Sequence, residues 1–137
     1  MKYVTIEMSE KMIKGIGIDV TDIQRFTKVT HDTGILSELF TDGEIRKVTG
    51  GPGRVHVLAR LFATKEATLK ALGRGLHFGS VWKDMDATAD LTLQGDTPGR
   101  SASGMQIDGK LHVCRSSSKN HSIAAVLIEY SAKGAKP

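Results

Sequence analysis

The sequence predicts an α+β domain, with helices first and antiparallel strands later. Apolar residues recur at helical spacing between Ile23 and Leu72. Strict two-residue alternation begins only at Met85, and an Asp-Gly turn at Asp108-Gly109 signals a hairpin beyond it. Grouped helices followed by grouped strands are the mark of this class.

Met12, Ile13, Ile16, Ile18 and Val20 form a short apolar run containing two glycines, read as a buried strand that presents Asp19 at its C-terminal end. Thr21 or Asp22 then caps a helix with Ile23, Phe26 and Val29 on one face, stopping near Thr33-Gly34. Ile35, Leu36, Leu39 and Phe40 lead into Thr41-Asp42-Gly43-Glu44, which has capping-box spacing and predicts a helical turn or two up to Thr49. Gly50-Gly51-Pro52-Gly53 is the strongest breaker in the chain. A long helix follows over 55–72, with Leu58, Ala59, Phe62, Ala63 and Leu69 as its apolar stripe and Gly73 where a left-handed glycine ends a helix. Met85, Ala87, Ala89, Leu91 and Leu93 alternate with polar residues and predict a strand with one wet face. A hairpin is expected on Asp108-Gly109, pairing Met105 and Ile107 with Leu111 and Val113, and Ile123 to Tyr130 is a final, largely buried strand.

The 137 residues contain 39% hydrophobic and 25% charged side chains, which suits one folded domain over 1–137, with 1–11 and 131–137 peripheral. Its longest strongly apolar run, Ile123 to Ile128, is far short of the roughly 18 residues a bilayer helix needs, and Met1 to Lys11 lacks the apolar core of a secretory signal. A cytoplasmic protein is the expectation. The single cysteine, Cys114, can neither close an intrachain disulfide nor supply a thiolate zinc site. Nineteen basic against fifteen acidic residues give a net charge of +4, so the surface should attract an anion. Aromatics make up only 5%, and no basic run is interleaved with them for base stacking, so a nucleic-acid binder is the remotest class.

Two features carry chemistry. In Gly15-Ile16-Gly17-Ile18-Asp19 a dinucleotide fingerprint fails because Val20 stands where its third glycine belongs. Asp19 is then a helix cap on a tightly packed strand or a metal ligand. Within the long helix, Glu66 shares a face with Phe62, Leu69 and Lys70. Either it forms an i,i+4 ion pair with Lys70, or it joins Asp19 as one of the two oxygen ligands from distant elements that a magnesium site uses.

The blocks Gly15 to Ile23, Phe40 to Glu44, and Phe62-Ala63-Thr64-Lys65-Glu66-Ala67-Thr68-Leu69-Lys70-Ala71-Leu72-Gly73 through Leu76 resemble the signatures of the 4′-phosphopantetheinyl transferases of the holo-acyl-carrier-protein synthase type. Their order, the separation of about 47 residues between Asp19 and Glu66, and the chain length are similar too, and the likeness runs from about Lys14 to Glu129. The resemblance implies helices packed on a small antiparallel sheet, and a trimer whose active sites are shared between neighbours. It implies transfer of the phosphopantetheine arm of coenzyme A to a serine of an apo acyl carrier protein, with release of adenosine 3′,5′-bisphosphate. Asp19 and Glu66 would hold Mg2+, and Lys70 would stabilise the departing charge, which makes these three the catalytic set. The base would be Glu66 itself or a water held by the metal. Coenzyme A contacts would fall on Lys65, as a phosphate or structural cation, and on Lys70, Gly73, Ser117 and His121. Ser117 stands where many members carry a histidine, and His56 and Leu61 stand where they carry arginines. Trp82, the only tryptophan, is read as packing rather than substrate contact. Arg25 and Lys28 are the expected contacts for an acidic carrier protein, that of fatty-acid synthesis or of a polyketide pathway. The alternative is a catalytically impaired relative that binds coenzyme A or a carrier without turnover.

Overall fold

The computed structural model describes residues 11–48, 50–73, 81–88, 92–93 and 109–131. The elements are β1 (Lys11–Asp22), α1 (Ile23–Thr30), α2 (Thr33–Leu39), α3 (Asp42–Lys47), α4 (Arg54–Ala71), a 3-10 turn (Val81–Asp84), β2 (Met85–Asp86), β3 (Thr92–Leu93), β4 (Lys110–Ser117) and β5 (His121–Ser131). Three strands form an antiparallel sheet in the order β1-β5-β4, and β2 pairs with β3 in a separate two-stranded ribbon. The class is α+β, as the sequence predicts.

The long helix α4 lies on one face of the sheet, and small residues let it come close. Ala63, Ala67 and Ala71 pack against Ala124, Val126 and Ile128 of β5. On β1 the contact is tighter still: a Cβ added at Gly17 would collide with the carbonyl oxygen of Ala67, and one at Gly15 with that of Ala71. The two glycines of the first block are therefore the place where helix backbone meets strand backbone. The other side of α4 packs Leu58, Ala59 and Leu61 with Ile23, Phe26, Leu36 and Phe40 from the short helices. Phe26 meets the ring of Phe40 edge-on at 6.3 Å.

Local capping chemistry sets the boundaries. Asp22 accepts from the Arg25 N–H and starts α1. The expected stop at Thr33-Gly34 is corrected: α1 ends at Thr30, and Thr33 opens α2 because the Asp32 carboxylate accepts from the N–H groups of Gly34 and Ile35. The capping box of α3 is complete, with Glu44 N–H donating to Thr41 Oγ1 and Thr41 N–H donating to Glu44 Oε2. Gly73 has φ of 67°, the left-handed conformation expected after a helix, and its N–H donates to the carbonyl of Lys70.

Of the strand expected over 85–93, Met85–Asp86 and Thr92–Leu93 form a short ribbon, while 89–91 lie outside the described residues. The hairpin partners Met105 and Ile107 lie outside them too, and the Leu111 and Val113 strand pairs with β5. Among the described residues, no helix is long and apolar enough to cross a membrane.

Candidate active site

Alternation along β1 turns Gly15, Gly17, Asp19 and Thr21 toward α4, while Ile16, Ile18 and Val20 face outward. Asp19 therefore reaches the helix two residues beyond the last glycine contact. Its Oδ1 accepts from Lys70 Nζ at 2.8 Å and its Oδ2 from the Thr21 hydroxyl at 3.0 Å. Lys70 also donates to the carbonyl of Ile18 at 3.0 Å. The i,i+4 ion pair with Lys70, one of the two readings of Glu66, is thus replaced by an ion pair that joins helix to strand.

Glu66 sits one turn before Lys70 and is 8% exposed. Its Oε1 accepts from the indole N–H of Trp82 at 2.8 Å. Burial raises its pKa above the usual carboxylate value; the Trp82 hydrogen bond opposes that shift, the negative charge of Asp19 adds to it, and the Lys70 ammonium opposes it. Asp19, Glu66 and Trp82 line one open cleft of about 680 Å³, together with Arg25 and the apolar side chains of Phe26 and Phe62.

Trp82 is the residue that sequence reasoning placed too narrowly. It does pack, with its ring tilted 6.3 Å from that of Phe62, but it is also a donor to a candidate catalytic carboxylate. The one usable signal was chemical, since a buried indole N–H needs an acceptor.

Lys65 resolves as the structural cation rather than the phosphate contact. Its side chain is fully enclosed, and its three N–H groups go to Glu44 Oε2 at 2.6 Å, to the Trp82 carbonyl at 2.8 Å and to the Leu39 carbonyl at 2.9 Å. Burial pushes its pKa down, and the Glu44 carboxylate pulls the other way. With every donor used inside the core, this ammonium does not face the cleft.

The remaining candidates are spread around the molecule. Arg25 lines the cleft, and Lys28, on the same helix, is exposed outside it. Gly73 ends α4 and is not part of the cleft lining. Ser117, whose hydroxyl lies 3.1 Å from that of Ser122, lines a second cleft of about 520 Å³ with Lys47, Arg60 and Arg115. The two clefts share no residue. His121 is exposed at the start of β5, opposite Asp22 in the strand register.

A divalent metal fits the first cleft. Two carboxylates from distant elements face it, and the charge of one already makes the other harder to ionise, a repulsion that a cation between them would relieve. Asp22 also lines the cleft, but its Oδ1 accepts from the Arg25 N–H as the cap of α1, which leaves Asp19 and Glu66 as the pair that would hold an ion whose other ligands are water and substrate oxygens.

Comparison with known proteins identifies the family. Residues 15–126 match the model of the 4′-phosphopantetheinyl transferase superfamily. The chain is 32% identical over 120 residues to a holo-[acyl-carrier-protein] synthase of Exiguobacterium, covering 86% of this chain and 93% of that one. It is also 32% identical over 126 residues to the enzyme of that name from Vibrio cholerae, covering 86% and 98%. The crystal structure of a holo-(acyl-carrier-protein) synthase from Bacillus anthracis in complex with CoA (3′,5′-ADP) superposes with a TM-score of 0.66 at 28% identity, over 88% of this chain and 99% of that one. With the matched region running from the glycine-bearing strand through the Glu66 helix to the last strand, the chain belongs to the 4′-phosphopantetheinyl transferase superfamily and is an enzyme of its holo-acyl-carrier-protein synthase type.

Proposed function

We propose that this enzyme transfers the 4′-phosphopantetheine arm of coenzyme A to a serine hydroxyl of an apo acyl carrier protein, in a Mg2+-dependent reaction that releases adenosine 3′,5′-bisphosphate. The observation that carries the reading is that Asp19 of β1 and Glu66 of α4 line a single cleft, with Lys70 of α4 paired to Asp19. In this reaction the serine Oγ forms a new bond to the phosphorus that bears pantetheine. The P–O bond to the nucleotide breaks, and the serine proton passes to a base.

Asp19 and Glu66 are the residues that would hold the magnesium ion, whose chemistry is to neutralise the pyrophosphate and polarise its P–O bonds. Lys70 uses two N–H groups on β1 and keeps the third for a phosphate oxygen, so it can meet the charge that builds on the leaving group. Glu66, on the cleft wall beside the phosphates that the metal would hold, is the carboxylate placed to receive the serine proton. Arg25 at the cleft rim and Lys28 beyond it present cations to an acidic carrier.

The nucleotide end of coenzyme A needs further cations, and this chain places Lys47, Arg60 and Arg115 with Ser117 around the second cleft. A trimer would bring the carboxylate cleft of one chain to the cationic cleft of another. The outer face of β1 supports that assembly, because Ile13, Ile16, Ile18 and Val20 are each 57–61% exposed on it.

Intact-mass spectrometry tests the reading. An apo acyl carrier protein incubated with this enzyme, coenzyme A and Mg2+ should gain roughly 340 Da, the mass of the arm, and the gain should vanish with EDTA and with Asp19→Ala or Glu66→Ala. Native spectra of the enzyme in the same experiment should show three times the 14.8 kDa chain mass. An EDTA-insensitive gain would remove the metal from the reading, and a monomer mass would remove the shared site.

A further inference from the structure

Lys65 and Glu66 are neighbours on α4, and both hold the same residue. Lys65 Nζ donates to the backbone carbonyl of Trp82 at 2.8 Å, and Glu66 Oε1 accepts from its indole N–H at 2.8 Å. Lys65 is itself held by Glu44, and the other oxygen of Glu44 accepts from the N–H of Ala87 at 2.9 Å. One buried pair therefore pins the segment 82–87 at both ends, by the Trp82 carbonyl and the Ala87 N–H. The indole ring also packs beside the Phe62 ring, tilted by 34° at 6.3 Å between centroids, which restricts the directions in which its N–H can point.

A carboxylate on a helix has free torsions and can present either oxygen to a cleft. Here Oε1 is occupied by Trp82, and Oε2 has no hydrogen-bond partner among the described residues. We infer that Trp82 is a positioning residue for the reaction: its indole N–H selects the rotamer of Glu66 and leaves Oε2 as the oxygen available to a divalent cation, and the Lys65–Glu44 pair holds Trp82 in register. This inference rests on the reading of Asp19 and Glu66 as the metal-holding pair. Partners that orient a ligating carboxylate in this way typically contribute 10- to 100-fold to metal affinity. The Trp82 ring is also part of the cleft wall, so its role as packing must be separated from its role as donor.

Trp82→Phe keeps an aromatic ring against Phe62 and removes the N–H. A second variant, with the sulfur isostere β-(3-benzothienyl)alanine at position 82, keeps the two-ring shape and removes the same donor. Binding of Mn2+ to the full chain, read from the loss of the free-ion electron paramagnetic resonance signal, should weaken about tenfold in both variants. The Mg2+ concentration for half-maximal transfer should rise by the same factor, with KM for coenzyme A changed less than about twofold. A merely structural role would instead spare the isostere. Mn2+ affinity equal to wild type in the folded Trp82→Phe chain overturns the inference; should that variant fail to fold, wild-type affinity in the isostere overturns it. A wild-type chain that binds no Mn2+, with or without coenzyme A, overturns the metal reading and this inference with it.

Discussion

Lys65 and Lys70 lie five residues apart on α4, and each pairs with a carboxylate from another element, Glu44 at 2.6 Å and Asp19 at 2.8 Å. The resemblance in distance hides a difference in surroundings. Both side chains of the Lys65–Glu44 pair are at 0% exposure and all their polar atoms are satisfied by protein, whereas the Lys70 side chain is 50% exposed and that of Asp19 is 13% exposed. A charge pair sealed in the core has no group left to give a substrate, so its contribution is geometric. A pair at a cleft edge can open, exchange its partner for a phosphate or a metal, and close again. The comparison teaches that burial and spare donors, rather than pairing itself, separate the structural lysine from the chemical one.

Removing one partner of the sealed pair should produce the largest effect. Glu44→Ala leaves the Lys65 ammonium uncompensated and is expected to cost about 3–5 kcal/mol of folding stability, measured by urea denaturation. Replacing both residues, as Glu44→Leu with Lys65→Met, should recover part of that loss but not all, because the N–H groups of Thr41 and Ala87 lose their acceptor. Stability equal to wild type in Glu44→Ala would erase the distinction between the two pairs.

Lys70→Ala should do the reverse. Turnover is expected to fall about a hundredfold, as for the loss of one transition-state donor, while stability changes by no more than about 1 kcal/mol, as for a part-exposed pair. Equal losses of turnover and stability would make Lys70 another structural strut.

The smallest effect concerns Asp22, a carboxylate at the same cleft whose partner is backbone rather than a lysine. The Arg25 N–H lowers its pKa from the ordinary 3.8, desolvation opposes, and the Gln24 N–H and the charges of His121 and Arg25 add to the lowering. Its capping contribution is therefore present above the unfolded value and is lost as pH falls through the lowered folded value. Melting temperatures of wild type and Asp22→Ala should differ at pH 5 and converge at the most acid pH at which both still fold. A difference that grows on acidification would contradict the assignment.

Much of this was legible in the sequence, for physical reasons that differ by residue. The capping box at Thr41 to Glu44 and the glycine at position 73 are local, so their spacing sufficed. Glu66 and Lys70 share a helix face by the helical period, and the glycines of β1 announced a close approach before the structure showed what approached. Lys65 was ambiguous because its environment is set by Glu44 and by the Leu39 and Trp82 carbonyls, 17 to 26 residues away in sequence. No periodicity reports on such distances. The link from Trp82 to Glu66 was hidden for the same reason, and the break before Thr33 because Asp32 competes locally with a continuing helix.

The contact of Gly15 and Gly17 with the carbonyls of α4 bears on how finely the site is held. Where side chains separate two elements, each rotamer hop lets the elements breathe by fractions of an ångström. Between β1 and α4 at these positions there is no side chain on the strand to hop, so main chain serves as the spacer. Asp19 follows two residues after Gly17, and Glu66 immediately precedes Ala67, the residue whose carbonyl Gly17 meets. The gap between the two acidic groups thus inherits the stiffness of peptide planes, and a single methyl at position 17 would detune the chemistry without entering the cleft.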